Sequence, residues 1–369
     1  MSGMPRRPPI ILVQIAGAYR AQHEMLMGVI SEATGLHGWT IANCWSEVNT
    51  APQLLETIAW YGATAAIMLG RPLPYGDWLQ KAGLPHVLLR HRDPRQPCVS
   101  VDDEAIGTTA CDHLIATGVP HLAYISLDNE GWSQVRQAAF AARAKRAGRD
   151  IIVGRPADLS GHDNPALDAW LASLPKPCGV FCGNDHVAAE VMRACQRRGI
   201  IVPRELLVLG VDDEPALCHQ GNPPLSSIAL PWEQMGREAV RLLANHISRA
   251  GSPPTMRLIR PSGVTVRAST DILAVEDELV RRAVHIIRDR IGSDIGTKDL
   301  IRELRCSRTV LEERFRACLG CSPFAEIRRT RLAVARRLQA RGDLSVGEIA
   351  RGAGFPSSAA LRRALRALG

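Results

Sequence analysis

Side chains able to bind a small hydroxylated molecule recur at one kind of place in this chain, directly after short apolar runs. Tyr19 and Arg20 follow the run at 10–17, and Asp128 and Trp132 follow that at 121–126. Asn184 and Asp185 follow the run at 178–183, and Asp212 and Asp213 close that at 206–213. Carboxylates and amides bind paired hydroxyls, and Arg donates a planar fork. An aromatic face can cover the C–H side of a sugar ring. These are the residue types of a carbohydrate site. The alternative for Asn184 and Asp212 is that each caps the helix that follows it.

Reacting groups in a catalytic arrangement are not evident. G-x-G-x-x-G does not follow the first apolar run, and G-x-x-x-x-G-K-[ST], G-x-S-x-G and H-E-x-x-H are absent. His113, His121 and His186 lack metal-ligand spacing. The expectation is therefore a binding protein and not an enzyme, with no metal and no cofactor.

The elements that must position these residues follow from patterning. Eight apolar runs of four to eight residues, at 10–17, 39–45, 65–69, 86–90, 121–126, 151–154, 178–183 and 206–213, are each followed by a segment that can form a helix. Continuous apolar runs mark strands covered on both faces, so the pattern is α/β with parallel sheets. That many βα units over about 260 residues fit two lobes better than one doubly wound sheet. Ligands of such sheets bind beyond the carboxyl ends of the strands, which is where the polar residues above lie.

Charge divides the chain. Residues 276–369 hold 20 Lys and Arg against 12 Asp and Glu, which accounts for the whole formal charge of +8; the preceding residues are neutral. A neutral body with a basic end points to a polyanion-binding module, with a solvated basic helical face as the alternative. In that end the pattern is helical throughout. Leu279, Ala283, Ile286, Ile287 and Ile291 share one stripe. Thr297 and Ser307 are expected to cap two helices, with Val310, Leu311, Phe315 and Leu319 buried in the second. A long helix over 324–342 follows a stop at Gly320. Ser345 then caps a second short pair whose turn is at Gly354. Two helix-turn-helix units separated by a long helix, on a basic segment, favour DNA. The ten cysteines form no paired C-x-x-C set and read as reduced thiols of a cytoplasmic protein; no run is long enough to span a membrane, and the N-terminus does not read as a secretion signal.

The body resembles the ligand-binding domain of the lac-repressor family, which shares the two-lobed type I fold of periplasmic sugar-binding proteins. The resemblance is carried by VDDEAIGTTACDHLIATGVPHLAYI, FCGNDHVAAEVMRACQRRGIIVPRELLVLGVDDEP and PPLSSIALPWEQMGREAVRLL. It implies that Asn184, Asp212 and Arg136 contact a sugar; Trp132, Tyr19 and Asp213, chosen by their place after the apolar runs, are the further candidate ligand residues. The short N-terminal helix-turn-helix of that family is absent, since the first strand begins by residue 10. The tail resembles the AraC-type DNA-binding domain through S-R-x-x-L-E-x-R-F-R-x-x-L-G-x-S-P (307–323), R-L-x-x-A-R-x-L (331–338) and L-S-V-G-E-I-A-x-x-x-G-F (344–355). By position this implies DNA contacts from Arg308, Thr309 and Glu312, and from Ser358, Ala359, Arg362 and Arg363. The last helix is Ala-rich and lacks the T-P-x-x-[YF]-R continuation, so the second unit is expected to be the less stable or less specific one.

A sensor domain (8–270) followed by an AraC-type domain (276–369) is the order of the bacterial xylose-operon regulators. The resemblance implies a sugar-responsive transcription factor, an activator more than a repressor. Its partners would be operator DNA, a small carbohydrate such as a pentose, a second copy of the chain in a homodimer, and RNA polymerase. The alternative is a sugar-binding protein of transport or signalling with no direct role on DNA. Because charge and pattern change together near 268–276, a fragment of residues 1–270 should fold and bind effector but not operator DNA. Specific operator retention by that fragment in a gel-shift assay would refute this division of labour.

Overall fold

The computed structural model describes residues 8–15, 19–44, 48–70, 73–125, 127, 130–155, 164–249, 253–271, 277–293, 295–319, 321–340 and 344–366. Asp128 and Gly320 lie outside the described residues. The chain opens with strands β1 (Ile10–Gln14), β2 (Thr40–Asn43), β3 (Ala65–Leu69), β4 (His86–Leu89) and β5 (Cys98–Val101). Between the first four run helices α1 (Arg20–His37), α2 (Ala51–Tyr61) and α3 (Tyr75–Lys81). It continues as α4 (Asp103–Ala116), β6 (His121–Ile125), α5 (Gly131–Arg146), β7 (Ile151–Gly154), α6 (Pro165–Ser173) and β8 (Cys178–Cys182). Then come α7 (Asp185–Arg198), β9 (Leu206–Asp212), α8 (Pro215–Cys218) and β10 (Ser226–Ala229). Helix α9 (Trp232–Ser248) and strands β11 (Met256–Ile259) and β12 (Gly263–Thr265) complete the body.

Two six-stranded sheets result, in the orders β11-β5-β4-β3-β1-β2 and β12-β10-β9-β8-β6-β7. All pairings are parallel except β10 with β12. This is the expected two-lobed α/β body. The central strands are closed off from water on both faces, as Ile11, Ile67, Val180 and Leu207 illustrate. Four strands were not visible as apolar runs: β5 (CVSV), β10 (SSIA), β11 (MRLI) and β12 (GVT). In β10 the hydroxyls are satisfied inside the fold. Ser226 donates to the Arg267 carbonyl and Ser227 to Asp185, so polar residues sit in a buried strand without penalty.

The chain passes between lobes three times. Helix α4 follows β5 yet packs on α5 in the second lobe, α9 follows β10 yet packs on α1 in the first, and β11 leads directly to β12. The passages are tied side by side. Asp102 N–H donates to the Ile259 carbonyl at 2.9 Å, and Ser262 N–H to that of Ala229 at 2.9 Å. Three parallel connections, each hydrogen-bonded to its neighbour, form a hinge that lets the lobes pivot about one region.

The basic end folds into α10 (Glu278–Asp289), α11 (Thr297–Leu304), α12 (Arg308–Leu319), α13 (Pro323–Ala340), α14 (Val346–Gly352) and α15 (Ser358–Arg366). The two helix-turn-helix units are thus α11–α12 and α14–α15, bridged by α13. Ser307 and Ser345 cap as expected, through Val310 N–H at 3.2 Å and Glu348 N–H at 3.3 Å. Thr297 does not cap: Gly296 holds that position, its N–H bonded to the Asp299 carboxylate at 3.0 Å. Val310 faces solvent while Leu311 and Phe315 are buried, because the cap places Val310 one position off the inward stripe.

Helices α1 and α9 meet at two glycines. A Cβ on Gly28 would lie 2.0 Å from the Glu233 carbonyl oxygen, and one on Gly236 would lie 2.0 Å from that of Met25. Backbone meets backbone here, so neither side can yield by changing rotamer. Gly236→Ala should destabilise the protein by about 1–3 kcal/mol, as overpacked sites do. Gly35→Ala, on α1 with nothing within 4 Å, should leave the melting temperature unchanged or raise it. Equal melting temperatures for the two variants would remove the close crossing from the account.

Candidate functional site

The site begins with a break in backbone regularity. At the carboxyl end of β9, Asp212 and Asp213 take φ of 108° and 53°, and at the end of β4 in the other lobe Arg90 takes 55°. Non-glycine residues held at positive φ store strain that the surrounding fold must hold in place, and such residues cluster at ligand sites. Here Asp212 and Arg90 bring side chains of the two lobes to the cleft.

Asp212 does not cap a helix. The N-cap of α8 is Glu214, and among the described residues none donates a hydrogen bond to the Asp212 carboxylate. Desolvation pushes that carboxyl above the usual range, while the charges of Arg90, Arg136 and His186 pull the other way. Its backbone carbonyl accepts from the indole of Trp232 at 3.5 Å, and the Arg90 guanidinium lies 5.4 Å from the centre of the Trp232 ring. Asp212 is thus an anionic position faced by cationic groups of both lobes.

Arg136 is 4% exposed on α5. Its Nε donates to Asp103 at 2.8 Å, its Nη1 to the Gly183 carbonyl at 2.6 Å, and its guanidinium stacks 4.6 Å from the Trp132 ring centre. Asp103, at the start of α4, takes a second guanidinium from Arg92 of the first lobe at 2.8 Å. One carboxylate therefore orients two arginines from opposite sides of the cleft. Tyr19, at the start of α1, meets the His186 ring edge-on at 5.1 Å. Beside it Arg20 donates its backbone N–H to Glu214 at 3.0 Å and its Nη1 to the Asp213 carbonyl at 3.1 Å.

The cleft thus gathers Tyr19, Trp132, Arg136 and Asp212. Asn184 stands at its expected place and also caps α7, its Oδ1 accepting from Val187 N–H at 2.9 Å, which leaves its amide nitrogen for other work. Asp213 is different. Its carboxylate is 2.7 Å from Arg267 and accepts from Thr265 at 3.0 Å, so it braces β9 against the segment around β12 and is not open to a ligand. Sequence reasoning passed over Arg90, Arg92, Asp103, His186 and Trp232. Arg90 ends an apolar run, so the rule that selected Asp212 could have selected it too.

In the helical end, Arg308 opens α12 with an exposed side chain whose Nε donates to Glu312 at 2.8 Å. That bond holds the Glu312 carboxyl below its usual range. Thr309 is exposed, Ser358 is half-buried at the start of α15, and Ala359, Arg362 and Arg363 are exposed. Arg362 and Arg363 have no acidic partner among the described residues. Two small cores support the units, one around Phe315 and Leu300, the other around Ile349, Phe355 and Leu361. Arg331 on α13 donates to the Ser293 and Ile295 carbonyls at 3.2 and 3.0 Å. Gly354, with φ of 74°, lets the second turn approach the Ile291 carbonyl so closely that a Cβ would lie 1.9 Å from it. These contacts fix one unit to the other.

Two family models match separate parts of the chain. Residues 111–270 match the family model of a periplasmic binding protein-like domain, and 300–368 match that of a helix-turn-helix domain. The chain is 29% identical over 271 residues to a xylose operon regulatory protein of Haemophilus influenzae, covering 72% of this chain and 70% of that one. It is 29% identical over 266 residues to the protein of that name from Escherichia coli K12, covering 70% and 68%. Among solved structures, one described as the xylose-binding transcription activator xylR superposes with a TM-score of 0.65 at 23% identity, over 99% of this chain and 96% of that one. The complex of the transcriptional regulator CelR with cellobiose gives 0.58 at 22% identity over 72% of this chain and 86% of that one. Both structural likenesses speak to the fold. Among the described residues no helix is long and apolar enough to cross a membrane, and no group of His, Cys, Asp and Glu could hold a metal ion. None of the ten cysteines forms a disulfide among the described residues.

Behind Asp212 sits Asp185, fully buried, accepting from Ser227 at 2.6 Å and from Glu214 N–H at 2.8 Å. Burial, with repulsion from Asp212, pushes its carboxyl up to about 8 from 3.8. Between those values the folded chain holds a proton that the unfolded chain has released, so stability falls as pH rises through that window. Asp185→Asn removes this contribution. Its melting temperature should fall less between pH 5 and pH 8 than that of the parent, and identical slopes would mean that Asp185 is ionised throughout.

Proposed function

Starting from a chain that is a DNA-binding transcriptional regulator, a periplasmic-binding-protein-like sensor domain joined to a C-terminal AraC-type helix-turn-helix domain, we propose that a small carbohydrate bound between the lobes controls its hold on operator DNA. The observation that carries this reading is Asp212. A strained carboxylate with no donor among the described residues faces Arg136 of its own lobe and Arg90 of the other, so a ligand bonded to both ends would favour the closed arrangement. The equilibrium moves by no more than the ligand's differential affinity for the open and closed forms. Arg136, Asp212 and Asn184 would bond hydroxyls, and Tyr19 and Trp132 would cover the apolar face of the ring. Asp213 would act indirectly, by holding β9. The names of the relatives favour a pentose, xylose among them, as the first candidate.

The DNA face would be the starts of α12 and α15, with Arg308, Thr309 and Glu312 in one groove segment and Ser358, Ala359, Arg362 and Arg363 in the next. The protein would act in the cytoplasm as a homodimer on paired half-sites, recruiting RNA polymerase as an activator. The reading as a transport or signalling sugar-binding protein leaves the whole basic end without a purpose.

The test is a salt titration on operator and random DNA, with and without sugar. Effector should change operator affinity while leaving random binding nearly constant. Arg308→Ala should relax specificity, by about 1–3 kcal/mol if the side chain reads a guanine. Arg363→Ala should weaken binding to all sequences and make the log–log salt slope shallower by about 0.9 if it meets one phosphate. Equal, sequence-blind losses with unchanged slopes in both variants would assign these arginines to folding or dimer contacts instead.

A further inference from the structure

Behind the cleft, one side chain fixes the two peptide groups that follow Asp212. The Asp185 carboxyl, fully buried at the first turn of α7, is bonded to the Ser227 hydroxyl at 2.6 Å and accepts from the Glu214 N–H at 2.8 Å. The same Ser227 hydroxyl accepts from the Asp213 N–H at 3.0 Å. Two successive N–H groups, one directly and one through Ser227, thus end on a single carboxyl. Strand β9 leaves room for it. Ser227 stands opposite Gly210 in the β9–β10 ladder, and a Cβ on Gly210 would lie 2.0 Å from Asp185 Oδ1. A glycine inside a strand weakens it unless another group needs the space of its side chain, and here the Asp185 carboxyl fills that space.

From this geometry we infer that Asp185 and Ser227 are positioning residues for the effector, a clamp that holds the turn at 212–214 and thereby sets the Asp212 carboxylate at the cleft. The inference rests on the cleft being the effector site and names the parts that keep it formed. Asp212 and Asp213 take φ of 108° and 53°, a backbone that residues with side chains leave unless the fold opposes it. The bonds from Asp185 and Ser227 oppose it from the N–H side, and the ion pair of Asp213 with Arg267 holds the same turn from its side chain. Stability alone does not call for such a clamp. A buried carboxyl is costly to desolvate, and an apolar side chain could fill the same space without that cost. Position matters here more than charge, since a neutral carboxyl can also bond Ser227 and accept from the Glu214 N–H.

Two measurements on the full chain test the clamp. Hydrogen exchange, followed by mass spectrometry on peptides spanning 212–216, should be about tenfold faster in Ser227→Ala and Asp185→Ala than in the parent, with exchange in β8 unchanged. Calorimetric titration with D-xylose, L-arabinose and D-glucose should show both variants binding the parent's preferred sugar about tenfold more weakly. In an Asp212→Asn background the same substitutions should cost less than about twofold, because a positioning residue acts only through the group it positions. Asp185→Asn, which copies the neutral carboxyl, should keep most of the affinity. Unchanged exchange at 212–216 overturns the inference. So does an equal affinity loss in the parent and Asp212→Asn backgrounds, which is what a general loosening of the lobe gives. An Asp185→Asn variant as weak as Asp185→Ala overturns it too, since charge would then matter and not position. If no sugar binds the parent, the effector reading falls and the exchange measurement alone decides whether the clamp exists.

Discussion

Everything in the sensor domain is arranged around one carboxylate. Asp103 is 1% exposed and sits at the first turn of α4, where the chain has just crossed between lobes. A negative charge there is favoured by the helix's unpaired N–H groups. It is neutralised by Arg92 from one side and Arg136 from the other, at 2.8 Å each. Removing Asp103 would leave two guanidiniums in a poorly solvated position, which costs far more than the pair gains. Arg136 depends on it most, since without that bond nothing but the Gly183 carbonyl and the Trp132 face would fix its angle. Because Asp103 also stands next to the hinge, any rotation of the lobes pulls on the Arg92 bond. The charge network that prepares the site and the hinge thus share one stretch of chain, since the neighbouring Asp102 N–H makes a hinge hydrogen bond.

That sharing has a consequence for regulation. A ligand couples to DNA only if it binds the open and closed forms unequally, and allosteric couplings commonly amount to about 1–3 kcal/mol. Contacts that already join the lobes set the starting point. Arg20 reaches Asp213 and Glu214 across the cleft, Tyr19 meets His186, and Trp232 reaches the Asp212 carbonyl. The Arg92–Asp103 ion pair at 2.8 Å adds to them, so the described arrangement already carries charged contacts between the lobes that any opening must break.

Much of this was legible in the sequence because the strands are buried on both faces and so read as apolar runs. The residues at their ends could then be picked by position alone, which is how Asp212, Asn184, Trp132 and Tyr19 became candidates. Where a strand alternates hydroxyls that bond inside the fold, as in β10, hydropathy shows nothing. Adjacent acids defeat the pattern too. Asp102 caps α4 through Ala105 N–H at 2.9 Å while Asp103 pairs with arginines, and neither local spacing nor composition separates those duties. The pair Asp212 and Asp213 splits in the same way, one open to the cleft and the other tied to Arg267. Arg136 came only from family resemblance, since a buried arginine in mid-helix has no signature of its own. Arg90 was visible but read as the end of a strand.

The DNA-binding end shows how an Ala-rich last helix can still be held in place. Leu361 and Phe355 bury against Ile349 and α13, and the close approach of Gly354 to Ile291 pins the second turn to the end of α10. The expectation of a weak second unit was drawn from the poor aromatic content of α15, but its position is set by contacts made outside that helix. The two recognition helices differ in another respect. Arg308 would have to leave Glu312 to reach a base, whereas Arg362 and Arg363 have no ion pair among the described residues to give up. A side chain with a competing internal partner binds only where the new bonds are better than the old one, which selects among sequences. One without a partner gains from any phosphate. If both units dock on DNA as proposed, the free protein's own ion pairs favour specificity in the first unit and sequence-independent affinity in the second.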